Sequence, residues 1–135
     1  MDRLLIVDDD ASILRVLRMR LESENYTVSA ASCSEEAQKR MTEDTFDLAI
    51  VDLKLGEDCG IELMKRLHRT VPKLPVIILT AYGSIESAMK AMRDGAYCYL
   101  TKPFDNRELL VQVRNGIEKS KLSNEDKQLQ SMVRN

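Results

Sequence analysis

The sequence predicts an α/β fold: a doubly wound, five-stranded parallel sheet with one helix after each strand. Short apolar runs recur five times along the 135 residues, and a segment with helical periodicity follows each run. Runs that are apolar at consecutive positions are typical of parallel strands covered by helices on both faces. Because strand–helix–strand crossovers are right-handed, this alternation gives a doubly wound sheet.

The predicted strands are short, and most of them contain β-branched residues, which favour extended backbone. Pro75 is placed at the start of the fourth strand, a position where proline is tolerated because it leaves the middle of the strand unbroken. The five strands span residues 4–7, 27–31, 48–51, 75–79 and 98–101.

Apolar residues at helical spacing predict the helices between these strands. Three stripes share this spacing: Leu14, Leu17 and Leu21; Leu63, Leu67 and Val71; and Leu109, Val113 and Ile117. A fourth stripe consists of Ile85, Ala88, Met89 and Met92, and Gly95 marks the end of that helix. The segment 34–41 has the weakest helical pattern. The methionines on the helices are expected to fill the core.

The composition argues against several classes of function. A net charge of −2 provides no basic field for nucleic acid. No apolar run approaches the ~18 residues of a membrane span, and "MDRLLIV" reaches Asp8 too early for a signal peptide. Three cysteines without a CxxC pair indicate free thiols in a reducing compartment. The sequence therefore predicts a cytoplasmic protein with no membrane contact.

The chain length suits one domain, which is predicted over residues 1–121. Residues 122–135 contain few large apolar side chains. They are predicted to be a helix extension, a linker or a tail.

Polar side chains follow four of the five predicted strands at the point where each strand ends. Asp8 and Asp9 follow the first strand and Asp52 the third, while Thr80 follows the fourth and Lys102 the fifth. In the flavodoxin-like strand order 2-1-3-4-5 these four strands are neighbours, and ligands bind outside their carboxyl ends. We therefore expect three carboxylates, a hydroxyl and an ammonium group in one cleft.

This set of groups suits phosphoryl chemistry. Clustered carboxylates are costly unless a cation joins them, and hard oxygen ligands with room for water favour Mg²⁺. An ammonium and a hydroxyl can hold the remaining oxygens of a phosphoryl group. Asp52, after the central strand, is the candidate nucleophile that forms an aspartyl-phosphate, and Asp8 and Asp9 are the candidate metal ligands.

Each of these residues taken alone also has a structural explanation. An aspartate after a strand is often a helix N-cap, and this role is predicted for Asp10. His68, the single histidine, is expected at the surface. It is the joint placement of the polar residues at neighbouring strand ends that favours a functional site.

Four segments carry a resemblance to a known family. They are "IVDDD", "IVDLKLGEDCG", "VIILTAYGS" and "YLTKPF", in that order. Over residues 3–120 the chain resembles the CheY-like receiver domains of two-component response regulators. The stretch "TAYGSIESAMKAMRDGAYCYLTKPF" is most similar to receivers of the NtrC type, which precede a sigma-54-dependent AAA+ ATPase domain and a DNA-binding domain.

The resemblance assigns roles to the residues of the cleft. Asp52 becomes the phosphoacceptor, and Mg²⁺ is held by Asp8, Asp9, Asp52 and the backbone carbonyl of Lys54, with Asp9 as a direct ligand. Lys102 pairs with the phosphoryl group. Limited self-phosphorylation from small donors and self-dephosphorylation are implied, but no enzyme activity on other substrates.

The resemblance also implies a conformational switch. Thr80 moves to the phosphoryl group and Tyr99 rotates inward as the switch aromatic, although a static Tyr99 is the alternative. Lys102–Pro103 resembles the cis peptide of the family. Tyr82 is expected to shield the acyl phosphate, giving a phosphorylated lifetime of minutes or longer.

Partners follow from the same resemblance. A sensor histidine kinase is the expected phosphoryl donor, and homodimerisation is expected through the fourth helix, fifth strand and fifth helix. The resemblance also implies a C-terminal output domain of the AAA+ sigma-54 activator type, and no direct binding of nucleic acid by the receiver domain itself.

Three other interpretations of the same residues differ in what they require. A phosphohydrolase of the haloacid dehalogenase class needs an aspartate two residues after its nucleophile, and Lys54 stands at that position. A nucleotide or flavin binder needs a phosphate loop after the first strand, and the anionic "DDDAS" would repel phosphate. A degenerate or stand-alone receiver that acts as a protein-interaction module remains the alternative.

Overall fold

The computed structural model describes residues 2–81 and 83–134, of which 122–134 are described by their backbone alone. Its main sheet is parallel and has the order β2-β1-β3-β4-β5, which confirms the predicted order 2-1-3-4-5. The strands are β1 (Arg3–Val7), β2 (Thr27–Ala31), β3 (Leu48–Asp52), β4 (Val76–Thr80) and β5 (Cys98–Thr101). All five lie within one residue of their predicted bounds.

Five helices alternate with these strands and cover both faces of the sheet. They are α1 (Ala11–Ser23), α2 (Ser34–Glu43), α3 (Gly60–Thr70), α4 (Ile85–Arg93) and α5 (Asn106–Arg134). Side chains of α1 and α5 pack with Leu4 and Ile6 on one face, whereas side chains of α2, α3 and α4 pack with Leu5 and Val7 on the other. The alternation of consecutive β1 residues between two cores explains why this strand is apolar at every position.

The helix ends follow local signals in the sequence. The side chain of Asp10 caps α1 by accepting hydrogen bonds from the backbone N–H groups of Ser12 and Ile13, at 2.8 and 3.4 Å. Gly95 follows the end of α4 with a φ of 114°, a conformation that favours glycine. The predicted N-cap and the predicted helix stop are both confirmed.

The expectation that the helix methionines fill the core is wrong at three positions. Met19, Met89 and Met92 are 66%, 62% and 48% exposed, although Met64 is fully buried. On α4, Ala91 is the buried residue, and Ile85 is 81% exposed. A stripe of apolar residues shows that a helix has an apolar face, but it does not show whether this chain covers that face.

Two predictions fall wholly or partly outside the described side chains. The backbone of α5 continues to Arg134, so residues 122–134 are helical, and the domain boundary at residue 121 stays a prediction. Tyr82 lies outside the described residues. Within the described part of the chain, no helix is both long and apolar enough to cross a membrane.

Candidate functional site

Asp8 and Lys102 form the buried centre of the site. Asp8 directly follows β1, and Lys102 follows β5 at the same edge of the sheet. The Nζ atom of Lys102 lies 2.8 Å from Oδ2 of Asp8, and their side chains are 13% and 2% exposed. The other carboxylate oxygen of Asp8 accepts a hydrogen bond of 2.9 Å from the backbone N–H of Asp10. Both oxygens of this buried carboxylate therefore have partners.

Asp52 is the last residue of β3, and it faces the same ammonium group. Its Oδ2 atom lies 3.4 Å from Nζ of Lys102, and its Oδ1 atom accepts a hydrogen bond of 3.4 Å from the backbone N–H of Lys54. Burial and the nearby charge of Asp8 raise the pKa of the Asp52 carboxyl, and Lys102 only partly opposes them. Negative charge on Asp52 is therefore unfavourable unless a further cation is present.

Lys102 responds to both carboxylates. Burial alone would lower the pKa of its ammonium group, but the hydrogen bond and charge of Asp8, followed by those of Asp52, raise it overall. Lys102 is thus held in its charged form between the two aspartates.

Asp9 is exposed and connects the site to a short hairpin. This hairpin consists of two strands of two residues each, Lys54–Leu55 and Asp58–Cys59, with Gly56 at its turn. The Oδ2 atom of Asp9 accepts a hydrogen bond of 3.0 Å from the backbone N–H of Gly56. Gly56 has a φ of 61°, which suits glycine. The third carboxylate is therefore positioned by the loop that follows Asp52.

The oxygens of the three aspartates suit a divalent cation. One carboxylate oxygen from each of Asp8, Asp9 and Asp52 lies within 4.8 Å of the others. They line a cleft of about 320 Å³ together with Asp10, Ile13, Lys54, Ala81 and Lys102. The lining contains four aspartates and two lysines, so negative charge is in excess. Hard oxygen donors and space for water fit the preferences of Mg²⁺.

Thr80 lies beside the cleft and does not line it. It is the last residue of β4 and is fully buried, and its carbonyl accepts a hydrogen bond of 2.8 Å from the backbone N–H of Lys102. The structure therefore brings Asp8, Asp9, Asp52 and Lys102 together in the cleft, and Thr80 is buried next to Lys102. The peptide bond between Lys102 and Pro103 is cis, as the resemblance implied.

Tyr99 is half-buried on β5, and its hydroxyl contacts α4. Its Oη atom lies 2.8 Å from Oγ of Ser87. Ser87 was missed in the sequence, as was the N–H of Gly56 that contacts Asp9. The spacing of Ser84 and Ser87 in "GSIES" is a recognisable signal for a helix N-terminus, but it does not indicate a contact with Tyr99.

A parallel sheet with an acidic cleft at the carboxyl ends of its strands, in which Lys102 pairs with two aspartates, is the arrangement expected of the receiver class. The response regulator receiver domain family matches residues 4–114, and the chain belongs to this family. Receiver domains bind Mg²⁺ at an acidic cluster of the kind that Asp8, Asp9 and Asp52 form here.

The curated proteins to which the chain is similar are transcriptional regulators of the NtrC type. The chain is 36% identical over 130 residues to the transcriptional regulatory protein GlrR of Escherichia coli (strain K12), covering 96% of this chain and 29% of that protein. It is 36% identical over 132 residues to the alginate biosynthesis transcriptional regulatory protein AlgB of Pseudomonas aeruginosa, covering 98% and 29%. The chain thus spans less than a third of the curated relatives it matches.

Solved structures agree with this assignment. The beryllofluoride-activated NtrC4 receiver domain dimer has a TM-score of 0.85 at 32% identity, with 89% of this chain and 99% of that chain covered. NtrX from Brucella abortus in complex with ADP has a TM-score of 0.91 at 28% identity, with 100% and 30% covered. The chain is therefore a receiver domain similar to those of NtrC-type transcriptional regulators, and the resemblance proposed from the sequence is confirmed.

Proposed function

We propose that this receiver is a switch in which Asp52 accepts a phosphoryl group from a sensor histidine kinase. A carboxylate oxygen of Asp52 attacks the phosphorus, the bond between phosphorus and the donor's imidazole nitrogen breaks, and the imidazole leaves. The observation that carries the proposal is the position of Asp52 between a lysine and two further aspartates.

The other residues of the cleft have distinct roles in this proposal. Mg²⁺, held by Asp8, Asp9, Asp52 and the backbone carbonyl of Lys54, would neutralise charge on the transferred group. Lys102 already spans Asp8 and Asp52, so a small movement brings its ammonium group to the phosphoryl oxygens. Such a preorganised charge stabilises the transition state without a large rearrangement.

The kinase is proposed to dock on an apolar hollow beside the cleft. This hollow of about 520 Å³ is lined by Ser12, Ile13, Val16, Ala81, Lys102, Pro103 and Phe104. It shares Ile13, Ala81 and Lys102 with the acidic cleft, so a helix seated there would lie next to Asp52. Val16 is 46% exposed at its edge. This continuity favours the segment of the kinase that carries the phosphohistidine as its occupant.

The output is proposed to pass through α4, β5 and α5. Phosphorylation places a dianion in the cleft, Thr80 and Lys102 move toward it, and Tyr99 fills the space that Thr80 leaves. The exposed Ile85 and Met89 on α4 then suit a second copy of this chain. The beryllofluoride-activated NtrC4 receiver domain is a dimer, which supports a homodimer here.

The relatives also support a proposal for the output domain of this receiver. The relatives are more than three times as long as the matched region, and several are named transcriptional regulatory proteins. A C-terminal AAA+ sigma-54 activator domain is therefore proposed as the output, with DNA contacted by the rest of the protein. The free thiols of Cys33, Cys59 and Cys98 support a reducing, cytoplasmic location.

Intact-protein mass spectrometry after incubation with acetyl phosphate or phosphoramidate tests the proposal. The wild type should gain one phosphoryl group, only with Mg²⁺, and Asp52→Ala should gain none. Asp58→Ala, on the hairpin beside the site, should behave as the wild type. No gain in the wild type would transfer support to the degenerate receiver that acts only through protein contacts.

A further inference from the structure

The hydroxyl of Tyr99 joins strand β5 to the first turn of α4. Its Oη atom lies 2.8 Å from Oγ of Ser87, while the half-buried ring packs against the core on the side of the sheet that α4 covers. Ser87 belongs to the N-terminal capping box of α4, which it forms with Ser84. The contact therefore connects Tyr99 to the start of α4, a helix whose buried residue is Ala91.

The Ser87 hydroxyl has more neighbours than it can bond at one time. The N–H, carbonyl oxygen and hydroxyl of Ser84 lie 3.2, 3.1 and 3.0 Å from Oγ of Ser87, in addition to the Tyr99 hydroxyl. A serine hydroxyl has one proton and two lone pairs. When its proton bonds to the carbonyl of Ser84 and one lone pair accepts the N–H of Ser84, one lone pair is left, and Tyr99 is then a donor to Ser87. The hydroxyls of Tyr99 and Ser84 therefore compete for the remaining lone pair.

Gly83 provides the room for this arrangement. A Cβ atom at Gly83 would lie 3.3 Å from the Tyr99 hydroxyl, 2.8 Å from the Cγ2 of Thr101 and 3.6 Å from the Cγ2 of Thr80. Glycine at this position therefore lets the Tyr99 hydroxyl approach α4 close to the end of β4, where Thr80 lies.

We propose that Ser87 is a positioning residue for Tyr99. The Ser84 hydroxyl can replace the Tyr99 hydroxyl as the hydrogen-bond partner of Ser87. When Tyr99 turns away, the Ser84 hydroxyl takes its place on Ser87, so the capping box stays intact and no lone pair of Ser87 is left unpaired. Tyr99 thus has a defined position on α4 that it can leave at low cost. This inference rests on the proposed function for its consequence, because Tyr99 matters for signalling only if Asp52 is phosphorylated.

The first test uses the unphosphorylated chain with ring-labelled tyrosine, in which Tyr99→Phe identifies the Tyr99 resonances by NMR. Ser87→Ala should shift these resonances, and Ser87→Thr, which keeps the hydroxyl, should restore the wild-type positions. Unchanged Tyr99 resonances in Ser87→Ala would overturn the proposal. This readout does not depend on phosphorylation, so it stays decisive even if Asp52 accepts no phosphoryl group.

The second test measures the dissociation constant of the phosphorylated dimer by sedimentation. Ser87→Ala should change it about three- to tenfold, the range expected from one hydrogen bond. The change should disappear when Ser87→Ala is made in the Tyr99→Phe background. An equal change in both backgrounds would show that Ser87 acts only as a helix cap, and would overturn the proposal. A wild type that takes no phosphoryl group would instead refute the proposed function.

Discussion

The ammonium group of Lys102 and the carboxylate of Asp8 lie 2.8 Å apart although they are separated by 94 positions in the chain. Asp8 is almost completely buried, and this ion pair is what compensates its charge. Lys121 and Asp2 are also 2.8 Å apart, but the Lys121 side chain is 57% exposed. The two pairs share their chemistry and differ in burial, so they form a natural comparison.

Replacing Lys102 by methionine should lower the free energy of unfolding without Mg²⁺ by about 3 kcal/mol, because two buried carboxylates lose their cation. Added Mg²⁺ should stabilise Lys102→Met more than it stabilises the wild type, because in the variant Mg²⁺ no longer competes with an ammonium group for the aspartates. Urea melts with EDTA or Mg²⁺ measure both effects. Lys121→Met is the control and should lose no measurable stability, because exposed ion pairs contribute little. Equal losses in both variants would contradict the prediction.

The raised pKa of Asp52 gives a pH-dependent prediction. A carboxyl whose pKa is raised by folding binds its proton more tightly in the folded than in the unfolded state. Its contribution to stability is therefore full below the unfolded pKa of about 3.9 and is lost as the pH rises through the higher folded pKa. Asparagine does not titrate, so Asp52→Asn does not lose this stability as the pH rises. The stability of Asp52→Asn relative to the wild type should therefore be greater at pH 7 than at pH 4.

Urea melts of both proteins in EDTA across this pH range measure the difference. The comparison uses the change with pH rather than the absolute stability, because asparagine also alters the contact with Lys102. Curves for the two proteins that run parallel from pH 4 to pH 7 would refute the prediction.

Asp9 and Asp10 are adjacent, but the carboxylate of Asp9 belongs to the acidic cluster whereas that of Asp10 caps α1. Asp9→Ala loses one hydrogen bond to Gly56 and one charge from the acidic cluster, so without metal its stability should stay within about 1 kcal/mol of the wild type or rise. Its stabilisation by Mg²⁺ should disappear, whereas a wild type at 100 times its Kd gains about 2.7 kcal/mol. Thermal melts with and without Mg²⁺ measure this.

Asp10→Ala provides the matched control. It should lose about 1 kcal/mol through the missing N-cap of α1 and keep its response to Mg²⁺. The prediction for Asp9 fails if Asp9→Ala retains the response, or if its metal-free stability falls by much more than one hydrogen bond.

The residues that meet at the carboxyl edge of the sheet could be predicted from the sequence, because the strand order determines which residues lie there. Once five parallel strands are ordered 2-1-3-4-5, the residues that follow them meet at one end, whatever their side-chain conformations. Asp8, Asp52 and Lys102 were found in this way. The N-cap role of Asp10 was equally local, because it depends on two neighbouring N–H groups.

The contacts that the sequence did not reveal depend on side-chain conformation and loop geometry. The bond between Tyr99 and Ser87 requires a particular rotamer of Tyr99 and a particular position of α4. The bond from Gly56 to Asp9 depends on how the hairpin folds back. The exposure of Met89 depends on which parts of the protein pack against α4, and the periodicity of apolar residues does not predict that packing.

Gly60 gives the sharpest test of how the loop after Asp52 is built. A Cβ atom at Gly60 would overlap the backbone carbonyl oxygen of Asp52, and backbone cannot move away as a flexible side chain can. The N–H of Gly60 also bonds to the carbonyl of Leu53 at 2.6 Å, which fixes this close approach. Gly60→Ala should therefore lower the free energy of unfolding by about 3 kcal/mol, at the upper end for overpacking, and slow phosphorylation of Asp52. Gly56→Ala is the control: no atom lies within 4 Å of an added Cβ at Gly56, so the cost is only the strain of its left-handed φ, about 1 kcal/mol. Urea melts and the rate of phosphorylation by acetyl phosphate measure both variants, and a Gly60→Ala protein as stable as Gly56→Ala would show that the loop can shift away from Asp52.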